Sequence, residues 1–291
     1  MYRCYKSADQ LKDALAIFQR HPRLKVLENS TILTINNVVP SAEFRLYSCN
    51  DSKIWIGIKP FMGSTHIFVN GLGQLDEQIF IPFFKHVLRE NTDTLLANPH
   101  SCLIGDIPLV DSARAYLRGI GHNLYSSSAT LLYCFRKDLQ FPEYKLPEGF
   151  TMGPFCEEDV PTVAATWQYK SPTEEQKVRM RMKHLATVCI KRASDGKPAG
   201  FFMLEHNGML VHAFVVPEFR GLRLREALFF SLGDHVRQKF GIEPYFCTVK
   251  TNEVMFRWLK KDWEVYDETG AVASVDFQAF ETDEALFKKI G

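Results

Sequence analysis

The sequence predicts a mixed α/β fold arranged as two domains, and three observations carry that prediction. Short runs rich in β-branched and aromatic residues alternate with stretches of helical apolar spacing in both halves of the chain. Pro142, Pro147 and Gly149 break all periodicity in the segment 141–149, FPEYKLPEG, with patterned sequence on either side. The chain has 291 residues, more than a single core needs. The domains are therefore read as 1–140 and 145–291, joined by this linker.

The elements follow in order. Residues 8–19 place Leu11, Ala14, Leu15 and Phe18 on one helical face, with Ser7 as the N-cap. Strands are expected over 44–48, 53–58 and 65–69. A helix follows over 75–89, where Pro82 marks a kink or a fresh start. Next come a strand over 101–104, a helix over 111–117 capped by Asp111 with Gly119 past its end, and a strand within 124–135. The second half reads strand 150–155, helix 158–167, helix 173–184 and strand 187–191. Asp195-Gly196 and Asn207-Gly208 are hairpin turns around strands 201–205 and 210–216. A helix over 224–240, a strand over 245–249, a helix over 252–261 and strands at 263–266 and 273–277 complete the chain.

Composition excludes several classes of function. At 46% hydrophobic and 24% charged residues the chain is an ordinary soluble globular protein. A formal charge of +1 supplies no general attraction to nucleic acid or a membrane surface. No run approaches the ~20 apolar residues that span a bilayer. The seven cysteines are scattered, odd in number and form no CxxC pair, so neither a metal site nor a disulfide framework is indicated and they read as reduced thiols of an intracellular protein. Arg3, Lys6 and Lys12 are interspersed with Asp9 and Asp13, which disfavours a mitochondrial presequence and leaves the cytoplasm as the expected compartment.

The most informative stretch is 213–230, AFVVPEFRGLRLREALFF. An apolar run ends at Pro217, a basic turn follows, and an amphipathic helix begins near Leu224. Free amides and the helix dipole at such a start favour phosphate. The plainer reading is a basic helix start on a solvated face. The segment resembles the acyl-CoA pyrophosphate loop of the GNAT acyltransferase superfamily. VPEFR at 216–220, TWQY at 166–169 and TNE at 251–253 are most similar to the glycine N-acyltransferase-like family within it.

This resemblance implies tandem acyl-CoA N-acyltransferase folds with a degenerate N-terminal copy. It also implies acetyl-CoA or a longer acyl-CoA as cosubstrate, no metal, and a small amine such as glycine or another amino acid as acceptor. The backbone of Phe214, Val215 and Val216 would pair with pantetheine as an added strand does. Arg220, Gly221, Leu222, Arg223, Leu224 and Arg225 would surround the pyrophosphate. Asn252 would support the pantetheine arm, or simply cap the next helix. Arg223 and Arg225 stand where the family has glycines: either they point outward and contact phosphate, or their bulk closes the loop. Met209 stands at the expected catalytic glutamate and Trp258 near the expected tyrosine, with Tyr266 further along. His212 and Glu205, beside His206, are the remaining catalytic candidates, His212 because an unperturbed imidazole titrates near neutrality. Trp167, Tyr169, Phe201 and Phe202 line a pocket or belong to the core, and the interleaved charges of 174–181 read as a solvated face. The competing reading is a fold retained without turnover, binding CoA or a protein partner. Nucleic-acid binding through Arg220, Arg223, Arg225 and Arg237 is disfavoured by the small cluster and near-neutral charge.

Overall fold

A short strand absent from the sequence reading, β1 (Arg3–Tyr5), leads into α1 (Ala8–Phe18). The helix begins on a reciprocal cap in which Gln10 N donates to Ser7 Oγ (3.3 Å) and Ser7 N to Gln10 Oε1 (3.1 Å). The computed structural model describes residues 2–49, 51, 53–74, 76–135, 138–167, 170, 172–249, 252, 253, 255, 263–265, 274–282 and 284–287. Helix α2 (Lys25–Ile35) also escaped the sequence reading, because Lys25, Asn29, Ser30 and Thr31 are buried beside its apolar residues and blur any stripe. Lys25 is paired in that setting with Glu28 at 2.6 Å.

Strands β2 (Arg45–Cys49), β3 (Ile54–Phe61) and β4 (Ser64–Gly71) form the expected meander. Helix α3 (Glu77–Glu90) runs through Pro82 without a new start and is capped by Asp76, whose Oδ1 accepts from Gln78 N at 3.0 Å. After α4 (Thr92–Ala97) and β5 (His100–Asp106), α5 (Ile107–Gly119) begins four residues before the expected cap. Pro108 sits in its first turn and Asp106 at its N-cap position; Asp111 lies inside the helix and pairs with Arg114 at 2.9 Å. Strand β6 (Leu124–Phe135) follows.

The second half contains β7 (Phe150–Gly153), α6 (Val160–Thr166), α7 (Glu174–His184), β8 (Thr187–Arg192), β9 (Pro198–Leu204) and β10 (Leu210–Val215). Helix α8 (Leu224–Phe240) and β11 (Tyr245–Val249) match their expected bounds residue for residue. Apart from Asn252, Glu253 and Met255, the helix expected over 252–261 lies outside the described residues, as do Tyr169, Trp258 and Tyr266. The chain continues through β12 (Trp263–Val265) and β13 (Ser274–Glu281) to a short helix, Glu284–Phe287.

Two sheets result. The first runs β1-β2-β3-β4-β5-β13-β6-β11, with β12 on β6; the second is the antiparallel series β10-β9-β8-β7. The chain divides into two compact units, one of 1–133, 247–261 and 265–291, the other of 134–246 and 262–264. The sequence boundary at 141–149 follows chain order, whereas the compact units do not. Strand β13 inserts between β5 and β6, antiparallel to both, with Val275 opposite Asp106 on one side and Thr130 on the other. In the second unit the β-period of two sorts neighbouring phenylalanines. Phe201 joins Val163 and Val178 under α6 and α7, while Phe202 packs on Phe229 of α8, ring centroids 4.3 Å apart. No helix among the described residues is long and apolar enough to cross a membrane.

In the first unit β4 and β5 are parallel and paired without interruption from Ser64↔His100 to Val69↔Gly105. Gly105 is required there, since a Cβ would lie 1.8 Å from the Val69 carbonyl oxygen. Asp106 closes the end of this ladder by accepting from Gly71 N at 2.7 Å. Burial pushes its carboxyl up to about 6, against the opposing pull of the Gly71 amide and Arg23. The folded chain therefore holds this proton more tightly than the unfolded chain, and stability falls as pH rises from about 4 through 6. Asp106→Asn keeps an acceptor without the charge. It is expected to stabilise the protein by on the order of 1–3 kcal/mol at pH 8, with the difference closing below about pH 4, as read from denaturant melts at both pH values.

Candidate functional site

The candidate site is built on β10, the edge strand of the second sheet. On its inner side β10 pairs with β9. On its outer side one parallel bridge, Met209↔Tyr245, is the only strand contact among the described residues. Tyr245 N donates to Gly208 O there at 3.4 Å. Beyond it, Ala213 is exposed and Phe214, Val215 and Val216 are half-buried. An edge with unpaired amides and carbonyls is a template for an extended ligand.

The strand is also bulged. Val211 lies opposite Met203 and Phe214 opposite Phe201, three steps on β10 against two on β9. His212 occupies the bulge in a left-handed conformation, φ 61°. A histidine there is strained, and such strain concentrates at functional positions. Its ring is buried between Trp167 (centroids 4.8 Å) and Phe201 (5.1 Å). Burial, reinforced by the nearby Arg181 charge, pulls its pKa down to about 3. The sequence expectation of an imidazole titrating near neutrality therefore fails: in this site His212 is neutral.

Its tautomer is coupled to the Thr166 hydroxyl. Thr166 Oγ1 lies 3.0 Å from His212 Nε2, and also 3.1 Å from Thr162 O and 2.9 Å from Val163 O. The hydroxyl's one proton can go to one of those carbonyls, with Nε2–H donating to Thr166, or to a bare Nε2, with Nδ1 carrying the ring proton. In the first arrangement Nδ1 is the bare acceptor; it is buried, with no hydrogen-bond partner among the described residues.

Glu205 lies in an ion cluster. Its Oε2 accepts from Arg181 Nη2 at 2.5 Å and its Oε1 meets His206 Nδ1 at 2.6 Å, while Arg181 Nη1 donates to Glu174 at 3.0 Å. Glu174, Lys177 and Arg181 are buried, which corrects the expectation of a solvated face over 174–181. Positions 174, 177, 178 and 181 share one helical stripe, and that spacing was the available signal. Burial lowers Lys177 from its usual range, opposed by Glu174 and Glu205. Arg181 is desolvated too, yet the two carboxylates keep it firmly charged.

Downstream of β10, a 3-10 turn (Pro217–Phe219) leads to Arg220, whose Nε folds back to the Val215 carbonyl at 3.2 Å. Gly221 has φ 87°. Arg223, at the N-cap position of α8, is itself left-handed at φ 58°, ψ 20°. The loop thus adopts a backbone suited to glycine with an arginine in place. The Arg223 side chain points outward and is 73% exposed. Leu222 is exposed, Leu224 buried and Arg225 half-buried. In the first turn of α8, Glu226 N donates to Arg223 O at 3.2 Å.

The segment read as a linker is a strap along α8. Leu139 O accepts from Arg237 Nη1 at 2.9 Å, the Phe141 ring lies 4.6 Å from the Arg237 guanidinium, and the Tyr144 hydroxyl donates to Arg223 O at 3.0 Å. Sequence reasoning missed Tyr144, and no local pattern marks it. Asn252 belongs to the first unit, where its Oδ1 accepts from Met255 N at 3.2 Å, a helix cap.

The corresponding strand-to-helix junction of the first unit is closed. There β4 pairs with β5 without interruption from Ser64 to Val69, Gly71 N is taken by Asp106, and the carboxylate of Asp76 already occupies the start of α3. An anion approaching it would meet like charge.

Solved structures share this architecture. An X-ray structure of a Drosophila protein superposes with a TM-score of 0.73 at 12% identity, over 97% of this chain and 98% of that one. A tandem GNAT protein from the clavulanic acid biosynthesis pathway gives 0.52 at 12% identity, over 98% and 100%. A GCN5-related N-acetyltransferase from Sphaerobacter thermophilus gives 0.50 at 11%, over 96% and 95%. The chain therefore has two GNAT folds in tandem, a likeness of fold. No family model matches the sequence, and no curated protein sequence matches it.

Glu205→Ala would leave Arg181 buried with one carboxylate. It is expected to cost about 3–5 kcal/mol of stability in guanidinium denaturation, whereas a loss under about 1 kcal/mol would show the cluster to be solvated.

Proposed function

We propose that this protein is an acyl-CoA-dependent N-acyltransferase acting through its second GNAT fold, with a small amine as acceptor. Glycine or another amino acid is favoured by the resemblance of the VPEFR, TWQY and TNE segments. The observation that carries the reading is the contrast between the two copies. The β10 edge is open and runs into a helix start without an acidic cap, while the equivalent place in the first unit is zipped and acid-capped. Pantetheine would lie along Phe214, Val215 and Val216. The pyrophosphate would sit over the amides from Gly221 to Arg225, with Arg220, Arg223 and Arg225 supplying positive charge.

In the reaction, the amine attacks the thioester carbonyl. The resulting ammonium must lose a proton, and the departing thiolate must gain one. His212 Nδ1, bare in the tautomer whose Nε2–H donates to Thr166, would accept the first. With a pKa near 3, the imidazolium would be a strong acid and would hand the proton on to the thiolate. Glu205 would act indirectly, by holding Arg181. A reading as a CoA-binding protein without turnover is favoured by one observation: both Glu205 oxygens are already engaged.

Acetyl-CoA, a longer acyl-CoA or free CoA at about 100 times its dissociation constant should stabilise the fold by roughly 2.7 kcal/mol and raise the melting temperature by several degrees. Arg223→Glu with Arg225→Glu should remove that shift. No shift with any CoA species sinks the proposal. A shift without thiol release in the presence of any amine selects the non-catalytic reading.

His212→Asn tolerates the left-handed backbone and should keep the CoA shift while lowering kcat roughly 100-fold. Because His212 is already neutral, the wild-type rate should climb with deprotonation of the amine and show no break near pH 6.5. An inflection there that vanishes in His212→Asn would overturn the assignment.

A further inference from the structure

We infer that Tyr144 is the positioning residue of the loop before α8, holding through its hydroxyl a backbone shape that glycine would otherwise provide. The inference rests on the CoA reading for its functional meaning, but not for its geometry.

An L-residue at φ 58°, ψ 20° crowds its Cβ against the following carbonyl and relaxes toward negative φ unless something prevents it. Relaxation at Arg223 would swing its carbonyl and re-aim the Leu224 and Arg225 amides. The Arg223 side chain offers little restraint, since it is mostly exposed and its Nε lies 3.6 Å from Glu226 Oε1. The carbonyl is where the loop is held. It accepts from Glu226 N at 3.2 Å within the helix start, and from Tyr144 Oη at 3.0 Å.

Tyr144 reaches that point because the strap is anchored further along. Arg237 binds Leu139 O and lies over Phe141, and Phe141 packs where Gly233 leaves room: a Cβ on Gly233 would come within 3.0 Å of its ring. Between strap and helix lies a cleft of about 310 Å³ lined by Pro142, Tyr144, Ala227, Phe230 and Ser231 among others. With that space beneath the ring, the hydroxyl bond rather than close packing fixes Tyr144.

The test is a double-mutant cycle. Acetyl-CoA binding is measured by calorimetry on wild type, Tyr144→Phe, Arg223→Gly and the double variant, together with amide exchange at Glu226 and the next turn of α8. Tyr144→Phe should weaken binding roughly five- to tenfold and speed exchange in the Arg223 background. With Arg223→Gly also present, its effect should fall below about twofold, because the loop no longer strains. Equal losses in both backgrounds would mean that Tyr144 serves the ligand or the general packing, and would overturn the inference. So would unchanged binding and exchange in Tyr144→Phe. If neither wild type nor Arg223→Gly binds acetyl-CoA, a longer acyl-CoA or free CoA, the acyltransferase reading fails, and the exchange data alone decide the role of Tyr144.

Discussion

Arg181 is almost wholly removed from water and yet charged, and the second unit is organised to keep it so. Withdrawing a guanidinium from water costs several kcal/mol, recovered only if carboxylates meet it in good geometry. Helix α7 supplies Glu174 two turns before Arg181, and the β9–β10 hairpin supplies Glu205. The helix can therefore rotate or slide on the sheet only by breaking a buried pair, a restraint that apolar packing alone would not impose. The same charge reaches His212 and helps hold it neutral. One cation thus fixes how α7 docks and adds to the burial that keeps the histidine of the bulge neutral.

The two copies differ at the junction between strand and helix. In the first, β4 and β5 complete their ladder and Gly105 lets them approach. In the second, β10 leaves its outer neighbour after a single bridge, and a left-handed His212 turns the strand. An open edge is a liability for a soluble protein, prone to pairing with other chains. Its retention in one copy and loss in the other is expected if one copy admits an extended ligand and the other stabilises.

Much of the fold was legible where local signals agree with tertiary ones. Helix α8 declares itself by the turn before it and Gly241 after it, and α1 by Ser7 and Gln10. Helix α2 was illegible because its buried face is partly polar, and α5 was misplaced because Asp111 looks like a cap while Pro108 is the actual starter. At the site, the loop and the candidate histidine were readable from residue type and order. What sequence could not show is long-range: that Arg181 depresses His212, that both oxygens of Glu205 are taken, and that Tyr144, 79 positions away, bonds Arg223. Each depends on which segments meet, and no local period encodes that.

Strand β13 has a bearing on how the chain is made. Its place between β5 and β6 is filled by residues 274–281, synthesised long after both of those strands. Domains ordinarily fold in turn as they leave the ribosome, the N-terminal one first. Here the first sheet must wait, with a gap and two unpaired strand edges, until the whole second unit has been made and β13 has emerged. Cutting the gene at the proline-rich strap would yield an N-terminal fragment with that gap permanently open, so the halves are inseparable in biosynthesis although each has its own core.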